Sequence, residues 1–541
     1  MKRAFRIITS LSRVAAFTAL AWGVMTCHAA VSFPDVFGDH AIVQKAADTA
    51  IWGRAEPGET VEVSLGPVAA SAVAGADGWW LARLDTSVLG DGPFELAAGA
   101  PSGTAVSSDV LVGETWLAGG QSNMEFKMDS FGCMAGFDEV RAACAGRPIR
   151  MFRLSNAGAA EPVPWDARGT WRVVSPTNIG DISAVGYTFI DAIQRAIGGA
   201  AGVIDISVSG TRCWAWLPRA TTDAFPELKA ERLSQEAAAA NGEHVSRPVE
   251  FCWNNRFFPV SKLSCRGILW YQGEDDSYQP NGLTLYQKWF SRMAEDMRSA
   301  LGDPNLPFLY CQLAGWGMPA STPDENPGPA QLREAQRRVR RSIPRSAMAV
   351  TLDQSEHEIH GRYKRPVGER LAALAIHWVY GRTGLICESP DFLRAEFRAS
   401  DVLLTFANGG SPLAAGPIRT EFTWNAQSNT TIRLERRSSP ESRLEGFVLL
   451  GGDGQWRWAD AEIVGPDTVR VWADGAESPT AVRYCWGRQG FGNLVNESGF
   501  PASPFAASAS NPGVSANYDF ANAWRVPTST NQPRRHHHHE Q

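Results

Sequence analysis

Close pairs of cysteines are missing from this sequence. Of its nine Cys, one lies near the amino terminus and the others are scattered from 133 to 485, without the short spacings of a zinc site. An excess of positive charge is also missing, because 51 Lys and Arg stand against 57 Asp and Glu, which gives a net charge of −6. We therefore expect no metal site, and no nucleic acid as a partner.

Long apolar runs are nearly absent as well. One candidate spans 14–25, follows a basic stretch without acidic residues, and precedes small residues that end at Ala30. A run this short is typical of a cleavable export signal, whereas a membrane-spanning helix needs about 20 apolar residues. We interpret 1–30 as a signal peptide, so the mature chain is expected to be secreted or periplasmic and to have no membrane span.

The length of 541 residues exceeds what one hydrophobic core usually serves. With 44% hydrophobic and 20% charged residues, 51 Gly and 33 Pro, the composition is that of a globular chain with many turns. Changes of pattern divide the chain into an amino-terminal β-sandwich at 31–110, a central α/β domain at 111–388, a carboxyl-terminal β-domain at 389–515, and coil with a His-rich tail at 516–541.

Alternation of β-runs with helical periodicity defines the central part. The expected strands lie at 115–118, 203–208, 267–271, 308–313 and 347–352, and helices are expected at 186–197, 285–301 and 366–380. Shorter β-runs without helices precede them, at 49–52, 60–65, 79–84 and 94–97, and follow them, at 402–406, 446–450, 468–472 and 481–486. The fold class is therefore α/β with a parallel sheet, flanked by two β-rich regions.

Polar residues follow four of the central β-runs directly. Ser122 comes after the first run, Gly210 after the second, Gln272 after the third, and Asp353 with His360 after the fifth. Because the carboxyl ends of parallel strands share one edge of a sheet, we expect these residues to meet there. Together they supply the groups that acyl transfer requires, namely a hydroxyl, a backbone turn, an amide, an acid and an imidazole.

The predicted roles follow from that chemistry. Ser122 would attack an ester carbonyl after an imidazole removes its proton, and His360 is the expected base, with His357 as the alternative. The developing oxyanion needs two or three N–H donors, for which we expect the backbone N–H groups of Ser122 and Gly210 and the side-chain amide of Gln272.

The serine motif separates this chain from the α/β-hydrolases, since Gly120-Gln121-Ser122-Asn123-Met124 is not G-x-S-x-G. The stretch from Trp116 to Glu125, together with Trp270-Tyr271-Gln272-Gly273-Glu274, Ile359-His360 and the stretch from Pro366 to Ala372, resembles the sialate O-acetylesterase-like family of SGNH carbohydrate esterases. Further motifs extend the resemblance over most of the mature chain.

The resemblance implies a three-layer SGNH hydrolase domain that releases acetate from acetylated sugars through an acetyl-Ser122 intermediate, without metal or organic cofactor. Plant polysaccharides such as xyloglucan or xylan, and sialic acid, are the substrate classes it suggests. It also implies an acid two positions before the histidine, a place that Glu358 occupies, while Asp353 and a backbone carbonyl are the alternatives. Where relatives often have Gly-Gly-Thr, this chain has Ser209 before Gly210.

Residues near the expected strand ends are candidates for substrate contacts. Asn123 and Glu274 adjoin the predicted catalytic residues, although fixing a loop is the alternative for Glu274. Aromatic rings stack on the apolar faces of sugars, and the tryptophans placed near strand ends or in loops are Trp214, Trp216, Trp253 and Trp316. A non-catalytic sugar-binding protein on a degenerate esterase scaffold, and a lipase or peptidase of the same fold, are the competing hypotheses.

Overall fold

The structure is a computed structural model that describes residues 30–158, 161–279, 282–417, 421–425, 430–433, 444–513, 520 and 522–525. Apart from Ala30, the predicted signal peptide lies outside the described residues. The His-rich tail lies outside them too. Within the described part of the chain, no helix is both long enough and apolar enough to cross a membrane.

Seven strands form the amino-terminal region, and the β-runs expected there are confirmed as strands. They are β1 (Ile42–Gln44), β2 (Thr49–Arg54), β3 (Thr60–Leu65), β4 (Val68–Val73), β5 (Trp79–Leu84), β6 (Phe94–Ala100) and β7 (Gly103–Gly120). Strands β2 and β5 pair antiparallel, and β4, β3, β6 and β7 form a second antiparallel ladder. Along β3, buried and solvent-facing side chains alternate, as expected of a sheet with one face in the core.

A single strand joins this region to the central sheet. The first half of β7 pairs antiparallel with β6, and its second half pairs parallel with two central strands. Burial alternates along the first half and becomes continuous from Val110 to Gly113 and again up to Gly120. The predicted boundary at 110 therefore falls inside a strand, and one hydrophobic core runs from Val31 to Cys387.

The central sheet has the order β13-β12-β11-β7-β10-β8-β9, with every neighbouring pair parallel except β8 and β9. Its other strands are β8 (Ile149–Leu154), β9 (Gly169–Val173), β10 (Ala200–Asp205), β11 (Gly267–Tyr271), β12 (Phe308–Cys311) and β13 (Ser346–Ala349). The five expected strands are all present and mutually parallel. The β8–β9 hairpin was not expected, because Arg150, Arg153 and Arg172 interrupt its apolar pattern.

Helices connect the central strands. They are α1 (Ser122–Glu125), α2 (Phe137–Ala143), α3 (Ala184–Ile197), α4 (Arg219–Ala224), α5 (Pro226–Ala240), α6 (Gly282–Leu301), α7 (Gly328–Val339) and α8 (Arg365–Trp378). Helix α3 begins at a cap in which the Ser183 hydroxyl accepts a hydrogen bond from the Gly186 N–H (3.0 Å). Helices α3 and α8 pack against each other, and so do α6 and α7.

The carboxyl-terminal region is built of antiparallel β-sheets around a second core. Its strands are β14 (Asp391–Phe397), β15 (Val402–Ala407), β16 (Leu413–Ala415), β17 (Glu421–Asn425), β18 (Thr430–Arg433), β19 (Phe447–Leu450), β20 (Trp456–Trp458), β21 (Asp460–Gly465), β22 (Thr468–Trp472), β23 (Ala481–Tyr484), β24 (Leu494–Asn496) and β25 (Phe505–Ser508). The four β-runs expected here coincide with β15, β19, β22 and β23. The molecule is thus a mixed α/β protein with additional antiparallel sheets.

Candidate active site

The carboxyl end of β7 delivers Ser122 to the sheet edge. Gly120 ends the strand with φ of +132°, and a Cβ there would lie 2.0 Å from the Tyr271 carbonyl oxygen, so only glycine fits. The next N–H, that of Gln121, donates to the same carbonyl (2.9 Å). This close approach of β7 and β11 turns the chain sharply into α1, whose first residue is Ser122.

His360 meets Ser122 across the sheet edge. Its Nε2 lies 2.9 Å from Ser122 Oγ, which is hydrogen-bond distance. Burial lowers the pKa of His360 below its ordinary value of 6.5, and the positive charge of Lys364 lowers it further. The imidazole is therefore neutral at pH 7 and able to accept the hydroxyl proton.

A cavity of about 410 Å³ opens over this pair. Besides Ser122 and His360, its lining includes Glu125, Ser209, Gly210 and Asp275. These residues follow β7, β10, β11 and β13, so the sheet edge that the sequence analysis identified is where the cavity lies.

Two backbone N–H groups at the cavity are available for a ligand. Among the described residues, neither the Ser122 N–H nor the Gly210 N–H donates a hydrogen bond. Gly210 has φ of +67°, in the left-handed region, and an added Cβ would meet no atom closer than 3.8 Å. Glycine is thus required there for backbone conformation rather than for space.

Glu125 fixes the loop that carries Gly210. Its Oε2 accepts hydrogen bonds from the backbone N–H and the hydroxyl of Ser209, each 2.7 Å long. The other oxygen, Oε1, pairs with Arg153 (3.1 Å), which is also paired with Asp205 (3.0 Å). The Ser209 side chain that distinguishes this chain from relatives with Gly-Gly-Thr therefore adds a hydrogen bond to the loop.

Gln272 is not among the residues that line the cavity, so the structure does not place its amide where the predicted oxyanion donor is expected. The side chain is fully buried, and its Nε2 donates to Asp276 Oδ2 (2.6 Å) and to the Thr211 carbonyl (3.0 Å). Both N–H bonds of the amide are thereby used inside the protein. Burial raises the pKa of Asp276 to about 7. Gln272 supports the Gly210 loop from below instead of facing the substrate.

The structure does not bring the expected orienting acid to His360. Glu358 is exposed and makes no hydrogen bond or ion pair within the described part of the chain, because the loop turns it towards solvent. Asp353 binds Arg370 through two hydrogen bonds of 2.6 Å, which tie it to α8. The buried acid of this loop is Glu356, whose Oε2 accepts the Arg362 N–H (2.6 Å) and so closes the loop around His360.

Asn123 and Glu274 lie beneath the cavity and not on its surface. Each is 2% exposed, and Asn123 Nδ2 donates to Glu274 Oε1 (2.5 Å) and to the Ile359 carbonyl (3.1 Å). The structure therefore does not place them at the predicted substrate contact, and the alternative of fixing a loop fits Glu274. Both follow their strands directly, but their side chains point into the protein.

Three of the four candidate tryptophans are core residues. Trp216 packs edge-on against Trp270 and donates to Thr211, Trp253 packs against Phe257, and Trp316 donates to Tyr278. All three are less than 9% exposed. Trp214 is half-buried, with Trp289 on its ring and the Arg212 guanidinium 4.6 Å from it. None of the four lines the cavity over Ser122.

Sequence reasoning missed Glu125, Ser209, Glu356 and Lys364 as functional candidates. Glu125 belongs to the motif that begins at Trp116, and Ser209 was noticed only as a departure from the family pattern. Lys364 gives no signal in the sequence, since a lysine before a helix is normally exposed. In the structure it is 3% exposed and reaches Asn123.

Glu125→Gln is expected to lower kcat about tenfold with little change in KM. The glutamine amide in place of the carboxylate presents an N–H to the Ser209 N–H, so the hydrogen bond is lost and the Gly210 N–H moves. Complete loss of an oxyanion donor lowers kcat by about 10²-fold to 10³-fold. Initial rates with p-nitrophenyl acetate measure both constants. Ser209→Ala, which keeps the backbone hydrogen bond, is the matched variant and should lose less; wild-type kcat in Glu125→Gln contradicts this prediction.

No cluster of three or more metal-binding side chains occurs among the described residues. The eight cysteines from Cys133 to Cys485 are free thiols. Burial raises the pKa values of most of them, including that of Cys213.

Comparison with known proteins finds carbohydrate esterases. Residues 112–377 match the family model described as carbohydrate esterase, sialic acid-specific acetylesterase. The chain is 26% identical to sialate O-acetylesterase of Mus musculus over 69% of this chain and 78% of that protein. It is 24% identical to the Rattus norvegicus sialate O-acetylesterase over 89% of this chain and 95% of that protein.

A solved structure is similar over most of the chain. The crystal structure of a carbohydrate acetylesterase from Xanthomonas citri aligns with a TM-score of 0.74 and 29% identity, covering 88% of this chain and 100% of that one. The matched family region contains the Ser122–His360 pair and the cavity above it. The chain is therefore a carboxylic ester hydrolase, similar to the sialate O-acetylesterases and carbohydrate acetylesterases that it matches.

Proposed function

We propose that the protein is a serine O-acetylesterase of the SGNH type that removes acetyl groups from carbohydrates. The observation that carries this proposal is the 2.9 Å contact of His360 Nε2 with Ser122 Oγ at the floor of an open cavity. A neutral histidine beside a serine hydroxyl is the arrangement that activates serine as a nucleophile.

The reaction proceeds in two steps. His360 takes the proton of Ser122 as its oxygen attacks the acetyl carbonyl, and the N–H groups of Ser122 and Gly210 stabilise the oxyanion. The C–O bond to the sugar then breaks, and His360 returns the proton to the departing sugar oxygen. Water, deprotonated by His360, releases acetate from acetyl-Ser122 and restores the hydroxyl.

The cavity suits a small acyl group on a larger polar molecule. Its volume of about 410 Å³ lies near the lower end of the range for ligand pockets, roughly 300–1,000 Å³. Its lining combines the apolar side chains of Phe126 and Ile359, which suit an acetyl methyl group, with polar residues such as Asp275, which offer hydrogen bonds to a sugar. Acetylated sialic acid, or an acetylated plant polysaccharide such as xyloglucan or xylan, is the proposed substrate, and the predicted signal peptide would deliver the enzyme to the periplasm or outside the cell.

Acetate release from acetylated xyloglucan, acetylated xylan and O-acetylated sialic acid, assayed side by side, tests this function. We expect at least one of the three to be deacetylated, and p-nitrophenyl acetate to be preferred over esters with longer chains. A preference for long chains would favour a lipase, and binding of the sugars without turnover would favour a non-catalytic protein. Either result would overturn the proposal.

A further inference from the structure

Lys364 is a buried cation that the proposed mechanism does not use. It precedes α8 and is 3% exposed, and its Nζ donates to Asn123 Oδ1 (2.6 Å). The aromatic faces of Phe126 and Tyr271 lie 4.9 and 5.6 Å from Nζ. A buried ammonium group is costly unless it is paired, so its retention beneath an active site calls for a reason.

Asn123 connects this cation to the catalytic histidine. An ammonium group can only donate, so it requires the oxygen of the Asn123 amide on its side and directs the NH₂ group the other way. That NH₂ group donates to Glu274 Oε1 (2.5 Å) and to the carbonyl of Ile359 (3.1 Å), the residue before His360. The Asn123 amide thus links the residue that follows Ser122 to Ile359, the residue that precedes His360.

We propose that Lys364 is a positioning residue of the active site, which fixes the Asn123 amide so that it holds the Ile359 carbonyl, and with it the His360 imidazole, against Ser122. This proposal rests on the serine mechanism above. Lys364 touches neither substrate nor reacting atoms; it acts through its hydrogen bond to Asn123 and through its charge.

Electrostatics gives the proposal a separate readout. Lys364 lowers the pKa of His360, and burial lowers the pKa of Lys364 itself to about 8, so the lysine is charged wherever His360 titrates. Burial also raises the pKa of Glu274. Glu125, Lys127 and Asp275 line the cavity together with His360, and the charged or titratable neighbours of His360 on its own loop are Glu356, His357, Glu358 and Arg362.

The sign of the effect follows from these directions. A cation next to His360 opposes its protonation, so the acid limb of kcat/KM in the wild-type enzyme should lie below pH 6.5. Removal of the cation should raise the pKa of His360 and move the acid limb to higher pH. If Lys364 had a purely structural role, its removal would lower activity without moving the acid limb.

The experiment uses three variants of the full chain, assayed with p-nitrophenyl acetate from pH 4.5 to pH 9. Lys364→Met removes the cation but leaves the Glu274 carboxylate buried without it. The double variant Lys364→Met/Glu274→Gln removes both charges and so avoids that unpaired carboxylate. Lys364→Arg keeps the charge. Circular dichroism and Tm establish folding.

Both neutral variants are expected to lose about tenfold in kcat at little change in KM and to show the upward shift of the acid limb, since a displaced imidazole transfers the proton poorly. Lys364→Arg should keep the wild-type acid limb even where kcat falls. A folded neutral variant with the kcat and the acid limb of the wild type would overturn the proposal. Failure of both neutral variants to fold would also overturn it, because the network would then be structural.

Failure of the serine mechanism is recognised separately. Ser122→Ala is assayed in the same series. If this variant keeps wild-type activity, the proposed function is disproved. Activity that depends on Ser122 but is indifferent to Lys364 disproves the positioning role alone.

Discussion

Replacement of Ser122 by alanine is expected to reduce kcat for acetyl ester hydrolysis by about 10⁴-fold to 10⁶-fold. Alanine has no hydroxyl to form the acetyl intermediate, while the N–H groups of Ser122 and Gly210 remain to polarise an ester that only water can attack. The side chain is small and lies at the start of a four-residue helix, so the fold should be unaffected. Initial rates of the wild type and of Ser122→Ala check the loss of activity, and their Tm values check that the fold is unaffected.

Mass spectrometry of the rapidly quenched enzyme provides the direct measurement. The wild-type chain should carry one acetyl group during turnover, on the peptide that contains Ser122, and the variant none. Ser64→Ala on β3, a half-buried serine in the amino-terminal sheet, is the matched control and should keep wild-type activity. An acetyl group on another residue, or a loss of less than about a hundredfold, would contradict a Ser122 nucleophile.

The meeting of Ser122 and His360 could be predicted from the sequence because it depends on topology. Alternation of β-runs and helices required parallel strands, and parallel strands bring their carboxyl ends to one edge, whatever the sequence distance between them. That reasoning holds for residues 238 positions apart. It concerns backbone positions, and Gly210, which follows β10, is among the residues that line the cavity.

Side-chain direction after a strand could not be predicted in this way. Gln272 and Glu274 follow β11 directly, yet both are buried, because Asp276, Thr211 and Asn123 accept or supply their hydrogen bonds below the sheet edge. Spacing along the chain is the same for an amide that faces substrate and for one that supports a loop. The difference lies in the partners, of which Thr211 and Asn123 follow other strands.

Buried charges were the second limit. Arg153 made the β8 segment look irregular, but Glu125 and Asp205 neutralise it in the fold. Lys364 has the sequence context of a surface residue and is instead enclosed with Asn123 and Glu274. The partners of both charges lie far away in the sequence, Glu125 and Asp205 for Arg153 and Asn123 for Lys364, which is information that periodicity does not contain.

His360→Ala is expected to match the loss of Ser122→Ala, and the double variant Ser122→Ala/His360→Ala should be no slower than either single one. Serine and histidine act as one unit, so once either is missing the remaining rate comes from the oxyanion donors and substrate binding. Steady-state kcat values of the four proteins complete the cycle. Losses that multiply would mean that the two residues act independently, which a 2.9 Å contact does not allow.

His357, the other histidine of the same loop, is the alternative base that the sequence left open. Its replacement tests which histidine is the base. His357 does not line the cavity, and its carbonyl accepts the Gly317 N–H (2.8 Å), so His357→Ala should keep kcat within about tenfold of wild type. His40→Asn, in the amino-terminal region beside Asp109, is the control for removal of a histidine as such. If His357→Ala were as slow as His360→Ala, the loop would have to move during catalysis and the base assignment would fall.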